Sequence, residues 1–495
     1  MAYHEQMKFI GDHPLQLLYT SHRFYLPSFF LAALLATAGC KKNEYFPPLG
    51  DKVVSPIDVA TDKSGTYFYA LNSDYPRDYN QGSLLVLDTD GNKLGATSVP
   101  RLGRSMTVAG DALIITFSDT GETAAQVMLF DISTPKSPVL AKTFELGDEC
   151  NPINAIAKES YPYWAVSCSN GRIYAGDLDA DLSSSSLQHV RSYPGSRRAL
   201  YIDQTRNLLL AFPTELGEQN TRDTELEDAT SFSDPEGIET AKPNEIPDVF
   251  ERNRVIRADK ARRGLYQFAV FDFSASAQDG WVKKEFTDVL QELRWVYFPL
   301  NDADGKPDIP VTPENANKRY YRTNFWEAKG DASNPNVFYL SHRGNPDENR
   351  GGSLHANNVL RVTIKGDFKS TTALTSDLLS FERIYGYKSE LNPAGNYFVG
   401  DFEIQTVKGQ PLLLVNHFKD FANWPGSAYF SVVAKIIGNN SWIAESIGKS
   451  ASKSFYQVAL TPSGRAMAAN FYGNSLILLE VDPGVGISEV KATIQ

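Results

Sequence analysis

Histidine, cysteine and net positive charge are all scarce in this chain. Its 495 residues hold seven histidines and three cysteines, and acids outnumber bases to a formal charge of −11. That balance argues against a general nucleic-acid binder, which carries a basic stripe. It also argues against electrostatic adhesion to anionic lipid. Several catalytic and cofactor signatures are missing as well. There is no H-E-x-x-H pair for zinc, no G-x-S-x-G nucleophile elbow, no C-x-x-C-H haem attachment and no repeated Trp docking motif of the quinoprotein kind. DADGKPDIP (302–310) starts like a calcium loop, but Pro313 stands where the bidentate Glu belongs, so a turn is expected there.

No apolar run is long enough to span a bilayer comfortably. The longest, YLPSFFLAALLATA (25–38), has the length of a signal-peptide core, with Lys8 and Arg23 upstream. Two cleavage readings stay open. Ala36-Thr37-Ala38 fits cutting before Gly39, giving simple secretion. Thr37-Ala38-Gly39-Cys40 resembles the bacterial lipobox, with Cys40 as the lipidated residue and 40–53 as the tether. The count of three cysteines favours the lipid, because acylation of Cys40 leaves Cys150 and Cys168 as an even pair. Export then predicts a disulfide between those two, with two buried thiols as the alternative.

What the chain has in quantity is short apolar strands. SLLVLD (83–88), QVMLFDI (126–132), GRIYAGDL (171–178), YQFAVFDF (266–273), NVLRVTIKG (358–366), YFSVVAKI (429–436) and SLILLEVD (475–482) form one recurring series. Most are preceded by a second apolar run, such as TYFYALN (66–72) or RAMAANF (465–471). Strand pairs repeating along a whole chain mark a closed repeat array. The expected fold is all-β: a single seven-bladed propeller of four-stranded antiparallel blades over residues 54–495, with the sixth blade at about 382–448. The last repeat reads as owning all four of its strands, so no strand is borrowed to close the ring. Residues 43–54 are expected against its edge.

The first and last repeats carry a further likeness. Pro56 to Asn72 and Phe455 to Asn470 each read apolar strand, Ser-Gly turn (Ser64-Gly65, Ser463-Gly464), apolar strand and terminal Asn. This resembles the YVTN and lactonase-like group of seven-bladed propellers. The resemblance implies the fold. It also implies, as one alternative, a hydrolase with acidic or amide side chains at the channel mouth, where Asn72, Asn154, Asn324 and Asn470 are candidates.

In such blades the connections from second to third strand, and from one blade to the next, emerge on one face. The long connections sort there: 73–82, 214–264 (an acidic stretch followed by RNRVIRADKARR), 287–318, 342–357 and 417–428. Elaborated loops on a rigid scaffold are where binding usually resides. The candidate binding face comprises Asp74, Tyr75, Arg77, Tyr79, Trp295, His342, Arg343, Asp347, His355, His417, Phe421 and Trp424. Its aromatic members, with Trp326 and Phe418, are the kind that stack on sugars. A metal held by His342, His355 and His417 with Asp347, Glu348 or Asp420 is an alternative. Otherwise no cofactor is expected. The expected function is an exported, lipid-anchored, monomeric propeller that binds an envelope protein or glycan through this face, not nucleic acid. Alternatives are a lactonase-like hydrolase and a structural component of an envelope complex.

Overall fold

A computed structural model describes residues 48–495 apart from the connections 215–231, 234–238, 241–267, 274–282, 287–324, 343–357, 369–377, 386–396, 420–428, 438–441 and 449–454, and a few shorter stretches. Residues from Leu49 onward form one unit. Blade one is β1 (Pro56–Thr61), β2 (Tyr67–Asn72), β3 (Gly82–Asp88) and β4 (Lys93–Val99). Blade two is β5 (Gly103–Ala109), β6 (Ala112–Phe117), β7 (Gln126–Asp131) and β8 (Val139–Glu145). Blade three is β9 (Pro152–Ala157), β10 (Tyr163–Cys168), β11 (Arg172–Asp177) and β12 (Gln188–Ser192). Blade four begins with β13 (Ala199–Asp203) and β14 (Leu208–Phe212). Its insertion holds the two-residue strands β15 (Phe232–Ser233) and β16 (Glu239–Thr240), and β17 (Phe268–Asp272) and β18 (Lys283–Phe286) complete it.

Blade five is β19 (Phe325–Gly330), β20 (Val337–His342), β21 (Asn358–Ile364) and β22 (Leu379–Tyr385). Blade six is β23 (Tyr397–Val407), β24 (Gln410–Lys419), β25 (Tyr429–Ile436) and β26 (Trp442–Gly448). Blade seven is β27 (Phe455–Leu460), β28 (Arg465–Asn470), β29 (Ser475–Asp482) and β30 (Gly486–Ile494). Each blade is an antiparallel meander in sequence order, and the protein is a seven-bladed propeller. The expected start of blade six at about 382 is corrected. LSFERIY (379–385) is the outer strand of blade five, paired with β21, and blade six begins at Tyr397.

The strands are apolar because the middle two of each blade are covered on both faces by neighbouring blades. β2, β6 and β14 are buried along almost their whole length. Outer strands alternate, as in β4, which reads half-buried then exposed along its length. Core clusters therefore lie between blades. One joins Val59, Phe68 and Leu85 of blade one to Ala459, Met467, Leu478 and Ile494 of blade seven.

The Ser-Gly turns at the ends of the chain form as the sequence pattern requires. Gly65 and Gly464 have φ of +66° and +92°, and a Cβ on Gly464 would lie 2.5 Å from the Val481 carbonyl oxygen. Asp62 organises the first turn by accepting the backbone N–H groups of Thr66 and Tyr67, each at 2.7 Å.

No strand is exchanged between the ends: β27 to β30 supply blade seven alone. The segment before β1 does the closing. Leu49 and Val53 are buried, and Val53 belongs to the cluster between blades seven and one. Asn72 of β2 donates to Lys52 O (3.0 Å) and accepts from Val54 N (3.1 Å), while Lys93 Nζ reaches both Asp51 O (2.8 Å) and Gln495 O (3.0 Å). The sulfurs of Cys150 and Cys168 are within bonding distance, with Cα atoms 5.3 Å apart, inside the usual range for a disulfide.

Candidate functional site

Two regions gather polar chemistry: the face where second strands turn into third strands, and the channel lined by the first strands. On the face, blades three and seven turn tightly over 169–171 and 471–474. Blades four, five and six carry 213–267, 343–357 and 420–428 in the same place. The passages between blades four and five (287–324) and five and six (386–396) emerge on that side too. The two longest connections, 213–267 and 287–324, thus leave on this face beside blades four and five, while blade five's third-to-fourth connection, 365–378, leaves on the other.

Of the candidate residues, Asp74 lies beneath the surface rather than on it. It is fully buried, with φ of +54°, at the point where the chain leaves β2. Tyr75 follows in a 3-10 turn (Tyr75–Arg77) and is half-buried, its ring 5.3 Å from Phe471 and 5.7 Å from Tyr472. The backbone of Arg77 ends that turn. His342 and His417 close β20 and β24 at matching places, the final or near-final residues of second strands, paired with Phe325 and Val399. Tyr79, Trp295, Arg343, Asp347, His355, Phe421 and Trp424, like Glu348 and Asp420, lie outside the described residues, as does Cys40. Among the described residues no group of three His, Cys, Asp or Glu side chains is placed to hold a metal.

The channel is where sequence reading found least. In six of the seven blades the first strand is irregular in register near its start. A bulge re-aims the residues beside it. The residue just past the irregularity is Asp58 in blade one, Ser105 in blade two, Asn154 in blade three and Asp401 in blade six, and Glu327 lies within it in blade five. Two residues on, with the same facing, come Lys329 in blade five and Glu403 in blade six. Charged side chains thereby gather where apolar strands converge.

Their partners show what they do. Asp58 Oδ2 accepts Met106 N of blade two at 2.6 Å, and Asp401 Oδ2 accepts Val458 N of blade seven at 3.1 Å. These are the same device used twice, a carboxylate of one first strand holding the first strand of the next blade. Asn154 Nδ2 donates to Arg198 O (2.9 Å), and Arg198 Nη1 returns a bond to Ile153 O (2.6 Å). Arg198 also lies 3.8 Å from Glu327 and stacks 4.5 Å from the Trp326 ring. Lys329 Nζ meets Glu403 Oε1 at 2.7 Å. Asn151 accepts Asp119 N between blades two and three, and Asn474 accepts from Ser55 between seven and one. Every blade-to-blade junction is therefore crossed by a polar contact.

Burial pushes the Asp58 carboxyl up to about 8, with the Asp401 charge adding to it, while the Met106 N–H and Lys329 oppose. Asp58 is thus mostly protonated at neutral pH. For Lys329, burial alone would lower the pKa, but the charges of Glu403, Asp401 and Glu327 outweigh it and keep the ammonium protonated. Burial pushes Glu403 up against the pull of Lys329. The described channel groups are thus engaged with one another and with backbone across blade junctions.

No protein-family model and no curated protein matches the chain. Among solved structures, the chain is similar to Sqt1 of Saccharomyces cerevisiae at 8% identity, over 90% of this chain and 86% of that one, with a TM-score of 0.43. It is also similar to Sqt1 from Chaetomium thermophilum at 11% identity, over 88% and 87%, with a TM-score of 0.40.

Proposed function

We propose that this chain is a non-catalytic binding propeller that takes a protein or glycan partner on the face bearing its long connections. The reading is carried by one observation: the long second-to-third and inter-blade connections fall on one face and on consecutive blades four to six. A rigid ring holds the ends of such connections at fixed positions, the arrangement in which binding usually resides on loops. The channel charges tie blades together, which leaves recognition to the face.

The export signal and the lipobox-like Thr37-Ala38-Gly39-Cys40 support an exported, lipid-anchored protein at the bacterial envelope, held through Cys40. The likeness of the end repeats to lactonase-like propellers supports the second reading, a hydrolase at the channel mouth.

Affinity capture tests the first reading. Mature protein from residue 41 is immobilised beside a variant with 218–258 replaced by a Gly/Ser linker, and envelope extract is passed over both. The expected result is a partner retained by the intact protein and lost from the variant. Equal retention by both rejects the blade-four insertion as the docking element. No retained partner, together with turnover of lactones, replaces this reading with the hydrolase.

A further inference from the structure

Arg198 stands one residue before β13, at the end of the channel where the inter-blade passages emerge. It is only 9% exposed. Its backbone is held on both sides. Thr214 Oγ1 accepts the Arg198 N–H at 2.8 Å, and Asn154 Nδ2 donates to Arg198 O at 2.9 Å. Its guanidinium is held on one edge and on one face. Nη1 donates to Ile153 O of blade three at 2.6 Å, and the Trp326 ring of blade five stacks 4.5 Å from the guanidinium carbon. The head group is thus oriented by contacts from blades three and five, as a planar cation on an aromatic face can be.

The other edge is unlike the first. Nε and Nη2 lie side by side on a guanidinium and form a fork that matches the two oxygens of a carboxylate. Among the described residues Arg198 Nε has no hydrogen-bond partner, although it is shut off from bulk solvent. Nη2 has Glu327 Oε2 at 3.8 Å, an ion pair too long to be a hydrogen bond. A buried donor left unmet is costly, and more so on a charged group. Glu327 does not meet it as it stands, and its charge acts also on Lys329 deeper in the channel.

We infer that this fork is the receptor for a ligand carboxylate. The inference rests on the binding-face reading and names a chemical group that the face takes. The position of Arg198 supports it. Thr214 Oγ1 also donates to Phe325 O at 2.5 Å. Thr214 lies at the start of the connection 213–267 and Phe325 follows the end of 287–324, so the roots of the two longest connections meet at the residue that holds Arg198. Recognition here is by geometry rather than by long-range field. The chain is acidic overall, and Glu327 repels an anion at close range. A monoatomic anion therefore gains little, whereas a planar carboxylate gains two parallel charge-assisted bonds. An acidic side chain of a protein and a uronic acid of a glycan both present that group.

The test follows the arginine Nε–H resonances of the whole chain labelled with nitrogen-15 arginine. Arg198→Lys identifies the Arg198 signal by its loss, and Trp326→Phe identifies it by a changed ring-current shift, so the assignment does not hang on one variant folding. N-acetylglutamate α-amide, glucuronate and chloride are titrated at matched ionic strength. The expected result is a saturable downfield shift of the Arg198 signal with a carboxylate and none with chloride, the tighter of the two carboxylates naming the source. Glu327→Gln should bind the same carboxylate about threefold more tightly, because the competing charge is gone. No saturable shift with either carboxylate, in wild type and in Glu327→Gln alike, overturns the inference. So does a signal that starts downfield and moves upfield in Glu327→Gln, since Glu327 then fills the fork itself. The capture experiment stays separate. A partner retained there, with no carboxylate response at Arg198, removes the fork and leaves the binding face. A carboxylate response with no partner retained leaves the fork and removes the macromolecular reading.

Discussion

Asn474 Oδ1 accepts both the N–H and the Oγ–H of Ser55, each at 2.9 Å, across 419 residues of chain. Both residues hold positive φ, +48° and +45°. One amide therefore joins the entry of blade one to the turn of blade seven, in a propeller that closes without exchanging a strand.

Removing that amide should cost more than an average surface change. Asn474→Ala leaves the buried Ser55 groups without their acceptor, at about 1–3 kcal/mol. It also places a Cβ-bearing residue without a local hydrogen bond at positive φ, which adds about 1 kcal/mol. Asn474→Gly loses the amide but not the backbone conformation, so its loss should be the smaller by about that amount. Urea unfolding of the three proteins, compared at constant m-value, checks the order. Equal stability of wild type and both variants would show that closure does not depend on this contact.

Asp58 makes a second, pH-dependent prediction. Its folded-state pKa of about 8 lies above the ordinary 3.8 of an unfolded carboxyl. Between those values the folded protein binds the extra proton, so this group's stabilisation is complete below about pH 4 and is lost as pH rises toward 8. The difference between those two values corresponds to a loss of about 6 kcal/mol. Asp58→Asn removes the titration. Thermal denaturation across pH 4 to 9 should show the variant gaining on wild type as pH rises. Parallel curves would mean that Asp58 is ionised throughout.

The contrast between strands and channel explains what sequence could convey. The strands were legible because both faces of the middle strands are covered, which forces continuous apolar runs such as LLLAF (208–212). The boundary near 382 is misplaced because FERIY (381–385) carries apolar and aromatic residues like a first strand, although it pairs with β21 as the outer strand of blade five. The channel charges were missed because acids and lysines in strands read as solvent-facing. Two segments held the signal: Glu327-Ala-Lys329 and Asp401-Phe-Glu403 both space charge at period two inside first strands. Asp74 was placed on the face because its loop is polar. Nothing in the residues announced the left-handed turn that buries it.

Lys329 decides whether the channel cluster holds the ring together or waits for a ligand. Its ammonium sits 2.7 Å from Glu403, with both side chains about a quarter exposed (29% and 24%). Removing one partner of a fully buried pair costs about 3–5 kcal/mol, and the partial exposure reduces that to about 2 kcal/mol for Lys329→Met at pH 8. At pH 5 the loss should shrink, because the carboxyls left behind can take up protons there. Adding Glu403→Gln should restore part of the loss, with a coupling energy of about 1 kcal/mol in the double-mutant cycle. Recovery of that kind belongs to two charges that stabilise the fold through each other. A Lys329→Met protein as stable as wild type at pH 8, with no coupling to Glu403, would instead mark a cluster maintained at no benefit to the fold. That outcome would turn the search for a ligand from the loop-bearing face to the channel.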